Sequence, residues 1–296
     1  MKNAPLLILS MFTTLLSTNS NAEDHSYTFQ PGLISQRFDA EINASQSDFA
    51  LTPHMMNYVL PVYTTNHLNP MYNIGNSTKK NIETHFQLSV KFPLNSTDIM
   101  FQGDKLYGAF TLKAWWQMLD KDDSSPFRET NYTPELMYAM PLTWKVHGGN
   151  TGVVLGIQHD SNGQSGELSR SWNRAYAKFL YERGNLVACV KPWYRIPEHK
   201  KSSPEDVSGD DNPNITDYLG HGEVNIGYSF NKVKVLTTIG GNLSTSKGNI
   251  KLDITTPLAG NLRAYATVFH GYGDSLIDYD HKQTRIGLGI TLNDLF

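Results

Sequence analysis

The chain has 296 residues, with 25 lysines and arginines against 28 aspartates and glutamates, a net charge of −3 and a single cysteine, Cys189. That balance argues against a nucleic-acid surface, which needs a basic footprint to displace phosphate counterions. One cysteine rules out a disulfide within the chain.

The first 22 residues, MKNAPLLILSMFTTLLSTNSNA, open with Lys2, run apolar to Leu16 and then turn small and polar. Ser20 and Ala22 stand where a signal peptidase requires small side chains. The pattern predicts a secretory signal cleaved after Ala22, too short and too poorly flanked for a stable membrane helix. A buried N-terminal helix is the alternative. Beyond residue 22 no apolar run approaches the roughly 20 residues of a spanning helix. Residues 23–50 are assigned to an N-terminal periplasmic segment, and 51–296 to a single β-domain.

Alternation dominates that domain. In THFQLSVKFPL, Phe86, Leu88, Val90 and Phe92 share one face, and His85, Gln87, Ser89 and Lys91 the other. KLYGAFTLK repeats the pattern with Leu106, Phe110 and Leu112. GNIKLDITT sets Ile250, Leu252 and Ile254 against Lys251, Asp253 and Thr255, and TRIGLGITL sets Ile286, Leu288, Ile290 and Leu292 against Arg285, glycines and Thr291. A period of two means strands with one apolar and one polar face. Turn-rich stretches such as NSTD, GDDNPN, GDSLIDYD and residues 123–126 separate them.

About twelve such runs are predicted, near 57–63, 84–92, 105–113, 133–140, 151–161, 171–181, 185–194, 219–228, 232–240, 248–255, 261–272 and 283–292. Short connections such as 231–232 alternate loosely with long ones such as 195–218. An exported, even-stranded chain of this kind predicts an all-β fold, a transmembrane antiparallel barrel of about 12 strands with its apolar side toward lipid. The closing LNDLF places Phe296 on the apolar face by the same parity. A periplasmic β-sandwich is the competing architecture.

The stretch GIQHDSNGQSGELSRSWNR (156–174) sets His159, Asp160 and Ser161 side by side. Strand parity separates them. Val153, Leu155 and Ile157 form an apolar odd face that His159 and Ser161 continue, whereas Asp160 points to the other side of the sheet. Residues i and i+2 lie about 6.6 Å apart along one face, within reach of an imidazole acting as base for a hydroxyl. On the following strand, Arg170, Arg174 and Lys178 take the inward face and Asn173, Ala175, Ala177 and Phe179 the outward one. If Ser161 pairs with Ser171, Asn173 falls opposite His159, where it can hold the far ring nitrogen as the third group of a triad must. An amide does so without setting a bare carboxylate against hydrocarbon.

Five motifs carry a resemblance to a known family: HDSNGQSGELSRSWNR, SSPFRETNY (124–132), VKPWYR (190–195), DDNPNITDYLG (210–220), and GYGDSLIDY with the terminal NDLF. From about residue 84 onward the chain resembles outer membrane phospholipase A. The resemblance implies a twelve-stranded barrel with its site on the outer wall at the outer leaflet. It implies hydrolysis of phospholipid acyl esters (phospholipase A1, A2 and lysophospholipase activity), Ca2+ as cofactor and a reversible homodimer as the active form. Carried over by motif, Ser161 is the nucleophile, His159 the base, Asn173 the orienting group and Gly163 an oxyanion donor. The implied calcium ligands are Ser169 and the Gln164 carbonyl of one subunit, Ser124 of the second, and Asp211 at a further position. Gln164 stands where the family often has Arg, and Gly166 where it often has Asp, which removes a carboxylate near the metal; Glu167 is adjacent. The rival functions are a passive outer-membrane porin, with its working residues in the lumen, and a lipid A deacylase, usually with fewer strands.

Overall fold

The computed structural model describes residues 32–35, 37, 51–72, 80–203, 205–206, 208–294 and 296. The expected signal over 1–22 lies outside them, as does most of 23–50.

Twelve strands close on themselves: β1 (Tyr58–Thr65), β2 (Ile82–Pro93), β3 (Lys105–Trp116), β4 (Phe127–Val146), β5 (Gly149–Ser161), β6 (Ser171–Arg183), β7 (Leu186–Ile196), β8 (Gly222–Phe230), β9 (Val233–Asn242), β10 (Lys247–Ala259), β11 (Leu262–Gly271) and β12 (Gln283–Thr291). Each pairs antiparallel with its successor, and β12 returns to β1. Closure leaves no barrel edge and pairs the backbone groups along the ladders, which hydrocarbon demands of any spanning structure. A two-residue bridge, Thr52–Pro53, adds to β2. A short helix, α1 (Ile215–Leu219), interrupts the long β7–β8 connection.

The alternation read from the sequence sorts the side chains. Leu88, Ile157, Ile226, Ile250, Ile286 and Leu288 stand exposed on the outer wall, while His85, Gln87, Asp253, Thr255 and Arg285 are buried inside. The lumen is not an open channel. Arg128 pairs with Glu83, and Arg285 Nη1 meets the same carboxylate at 2.7 Å. Arg128 also reaches Asp278 Oδ2 at 3.0 Å, and Trp115 donates to Asp274 at 2.9 Å. His85 stacks between Tyr63 and Trp115 with centroids 4.8 and 4.5 Å away. Glu83, Trp115, Gln283 and Arg285 are each at most 1% exposed, so side chains plug the barrel at this level. Buried charges at this density are tolerable because each finds partners. Asp278, in the β11–β12 loop, shows the balance: burial alone raises its carboxyl, yet Arg128 and Arg285 hold it below the usual carboxylate range. In the other half of the lumen a cavity of about 380 Å³ remains, lined by Met137, Val154, Leu180, Val187 and Cys189.

Two expectations need correction. The fourth strand is much longer than 133–140, running from Phe127 to Val146. Arg128 and Glu129 are both buried in succession, and a register shift at Trp115/Trp116 opposite them breaks the alternation that marks a strand in sequence. The second concerns Phe296. Alternation stops at Thr291, and the tail folds inward. Asp294 pairs with Lys234 at 2.9 Å and Arg263 at 3.1 Å. Phe296 then lines the inner cavity, its ring centroid 4.9 Å from the Lys234 ammonium. Two lumenal cations draw the tail in.

Of the N-terminal segment, Ile34 and Ser35 donate their N–H groups to Glu182, at 2.6 and 3.2 Å. Glu182 also accepts from Asn150 at 2.7 Å, so this piece is tied to the end of the lumen opposite the β5–β6 loop.

Candidate active site

The site grows from one hairpin. β5 and β6 pair Ser161 with Ser171 and His159 with Asn173, so all four side chains share the outer face. Leu155 and Ile157, which continue that face along β5, are exposed. The Asn173 amide oxygen lies 2.8 Å from His159 Nδ1. With Nδ1 carrying the proton, Nε2 is left as a lone-pair base. Ser161 is two residues farther on the same face, the spacing an imidazole spans to a hydroxyl. Among the described residues the ring is held at Nδ1 alone.

Asp160 projects into the lumen, as parity requires, and is buried there. It accepts from Thr133 at 2.6 Å, from Arg174 at 2.5 Å and from Gln158 at 3.1 Å. The Arg174 guanidinium in turn lies 4.0 Å from the Trp172 ring, which meets Trp193 edge-on. The lumenal side of the hairpin is therefore a packed backing that holds the outward residues in place.

The β5–β6 loop owes its shape to Asn162, a buried residue that strand periodicity does not mark. Its amide donates to the Leu168 carbonyl at 2.9 Å, while its side-chain oxygen accepts the Arg170 N–H at 2.9 Å and the Gln164 N–H at 3.3 Å. The only available sequence signal is that Asn caps its own turn by bonding backbone two residues on. Gly163 follows with φ +65°, and a Cβ there would sit 3.3 Å from the Tyr132 ring. Glycine suits both the left-handed backbone and the close approach.

The expected cation ligands are oxygen donors, in keeping with calcium chemistry. Ser169 donates its hydroxyl proton to Asp211 Oδ2 at 3.0 Å, which leaves its lone pairs for a cation. Ser171 donates to the same oxygen at 2.9 Å. Gln164 is exposed in the loop, and Ser124 is exposed in the β3–β4 turn at φ +52°. A hydroxyl, a carbonyl and a hydroxyl from a second copy fit a hard cation. No group of three His, Cys, Asp or Glu that would hold a metal occurs among the described residues. The other carboxylate oxygen of Asp211 carries the Lys201 ammonium, which balances its charge. Neither Lys201 nor Glu198, which touches Asn173, carries a periodic signal in the sequence.

The phospholipase A1 family model matches residues 34–292. The chain belongs to the phospholipase A1 family. It is 36% identical over 280 residues to the phospholipase A1 of Klebsiella pneumoniae, covering 93% of both chains. It is 39% identical over 254 residues to that of Escherichia coli K12, covering 84% of this chain and 83% of the other. Among solved structures, outer membrane phospholipase A from Escherichia coli superposes with a TM-score of 0.79 at 36% identity, covering 88% of this chain and 98% of that one. The Salmonella typhi outer membrane phospholipase, a dimer with bound calcium, superposes at 0.78 and 37% identity, covering 86% and 98%. This member of the phospholipase A1 family is thus a twelve-stranded, multi-pass barrel of the outer membrane.

Proposed function

We propose that the chain is a calcium-dependent serine hydrolase of phospholipid acyl esters, acting from the lipid-facing wall of the barrel at the outer leaflet. The observation that carries this reading is the 2.8 Å contact between His159 Nδ1 and the Asn173 amide oxygen, with Ser161 on the same outward face. Membership of the phospholipase A1 family supports it.

Ser161 Oγ attacks the ester carbonyl carbon while its proton passes to His159 Nε2. Asn173 keeps the other ring proton on Nδ1 and steadies the imidazolium as it forms. The carbonyl oxygen gains negative charge, which the Gly163 N–H meets as a preorganised donor. The C–O bond to the glycerol oxygen then breaks, and His159 returns its proton to that leaving oxygen. Water, deprotonated by the same nitrogen, attacks the acyl carbon; the bond to Ser161 Oγ breaks, the fatty acid leaves, and His159 returns the proton to Ser161 Oγ. Ser169 and the Gln164 carbonyl, completed by Ser124 of the partner subunit, would hold calcium beside this point, where a bound ion would supply positive charge against the oxyanion. A shared ligand set makes the homodimer the active form. A healthy outer leaflet consists mainly of lipopolysaccharide, so phospholipid reaches the wall only when the membrane is disturbed.

A passive porin has no use for a histidine–asparagine pair on its lipid side, and the plug around Arg285 closes the lumen at its level. The test is fatty-acid release from phosphatidylethanolamine vesicles by the purified full-length protein. Release that a chelator abolishes and added calcium restores is expected. Vesicles left intact with calcium present would end the proposal.

A further inference from the structure

The β7–β8 connection, residues 197–221, turns back over the site hairpin. Three ties set its course. The Asp210 N–H donates to the His199 carbonyl at 2.8 Å, Arg195 Nη2 meets Asp210 Oδ1 at 2.5 Å, and Lys201 pairs with Asp211. β7 ends with Ile196 opposite Asn173. Two residues farther on, Glu198 is half-buried with Oε1 3.1 Å from Asn173 Nδ2. The row is therefore carboxylate, amide, imidazole, with separations of 3.1 and 2.8 Å.

We infer that Glu198 is a positioning residue that fixes the amide of Asn173 and, through it, the tautomer of His159; this rests on the triad reading above. An amide has a donor end and an acceptor end, and an imidazole nitrogen takes either role. The Asn173–His159 pair alone thus admits two arrangements. In one, the amide oxygen accepts from Nδ1–H and Nε2 is a base. In the other, the amide N–H donates to a bare Nδ1, the proton sits on Nε2, and no base faces Ser161. An ionised carboxylate offers only lone pairs, so Glu198 accepts solely the Nδ2–H end. A reversed amide would set oxygen against oxygen. Glu198 therefore selects the productive arrangement.

The placement also answers a solvation problem. A carboxylate directly beside His159 would stand on the wall that faces hydrocarbon, where charge is costly. Glu198 keeps the charge in the loop beyond the end of the strand, and the neutral amide bridges the remaining distance.

The test uses the full-length protein and phosphatidylethanolamine vesicles with calcium. Glu198→Ala is expected to lower kcat about tenfold with KM changed less than about twofold, because the residue acts on the base and not on the bound lipid. Glu198→Gln, which still offers an acceptor oxygen, should recover to within about threefold of the parent. In an Asn173→Ala background, Glu198→Ala should cost nothing more, since its effect passes through the missing amide. Parental kcat in Glu198→Ala, or an equal loss in both backgrounds, overturns the inference. The NMR signal of the His159 Nδ1 proton reads the same contact without turnover. It should shift in Glu198→Ala and persist in Ser161→Ala, and an unshifted signal in Glu198→Ala also overturns the inference. If the parent releases no fatty acid while that signal still responds to Glu198, the hydrolase reading falls and the positioning role stands.

Discussion

The last three residues of β5 put similar side chains into opposite surroundings. Asp160 enters the lumen and is saturated: a threonine hydroxyl, a glutamine amide and a guanidinium occupy its carboxylate. His159 and Ser161 leave through the wall, where the imidazole is held at one nitrogen and the other meets no partner among the described residues. A polar group whose bonds are all made is scaffold; one whose bonds are half made is available to a substrate. Composition could not have separated these neighbours, since aspartate is as much a catalytic residue type as histidine. The pleat of the strand separates them.

The contrast predicts that two adjacent substitutions fail in different assays. Ser161→Ala should lower kcat by about 10³-fold or more, as loss of a nucleophile does in a serine triad. Its barrel should still show the parental heat-modifiable shift on a gel, and a variant retaining normal fatty-acid release would remove the nucleophile. Asp160→Ala should do the reverse. It strands the Arg174 guanidinium in a site where both partners are only 11% exposed, at a cost of about 3 kcal/mol of barrel stability. The measurement is the urea midpoint in detergent or vesicles, with kcat of the surviving folded fraction close to parental. An Asp160→Ala protein as stable as its parent but catalytically dead would mean that the two faces had been assigned the wrong way round.

How much of this was legible in the sequence follows the same division. Wherever the pleat alternates without interruption, as in Phe86–Phe92, Ile250–Thr255 and Arg285–Thr291, face and strand were both readable, because lipid and lumen impose opposite polarity on successive residues. The His159–Asn173 register was readable as well, since matching polar positions on two adjacent strands leave few alternatives. The reading failed where alternation stops. The paired burial of Arg128 and Glu129 hid the first residues of β4, and the tail beyond Thr291 obeys Lys234 and Arg263 instead of the sheet. Glu198, Lys201 and Asn162 belong to loops, where position is set by particular hydrogen bonds and no period records it.

Smaller effects probe the boundary between wall and loop. Asn173→Ala removes the oriented acceptor and should lower kcat about tenfold, less than loss of Ser161 because serine and histidine remain in place. Asn173→Asp is the sharper experiment. In the Ser-His-Asp triad a carboxylate fills this position, but here the new charge would lie beside Glu198, whose oxygen is 3.1 Å from the present amide nitrogen. Two carboxylates at that distance resist joint ionisation. The variant should therefore be no better than Asn173→Ala at neutral pH, and full activity in a steady-state assay would show that the neutral amide is dispensable.

The smallest expected effect tests the cation side. Lys201 balances Asp211, and Asp211 accepts a hydrogen bond from the Ser169 hydroxyl, so one carboxylate separates the ammonium from the oxygen proposed to hold calcium. Lys201→Ala leaves Asp211 with its proton-accepting role and restores its full negative charge to the neighbourhood of the ion. The pair is as little exposed as Arg174–Asp160, with side chains 14% and 7% exposed, but its charge reaches the ion only through the Ser169 hydroxyl, which limits the gain. The calcium concentration for half-maximal activity should fall about threefold, with kcat at saturating calcium unchanged. Lys201→Arg, which keeps the positive charge, should leave the midpoint where it is. A calcium titration in which Lys201→Ala and Lys201→Arg coincide would mean that Asp211 does not sense the ion, and that the charge on this loop serves only to fasten it above the hairpin.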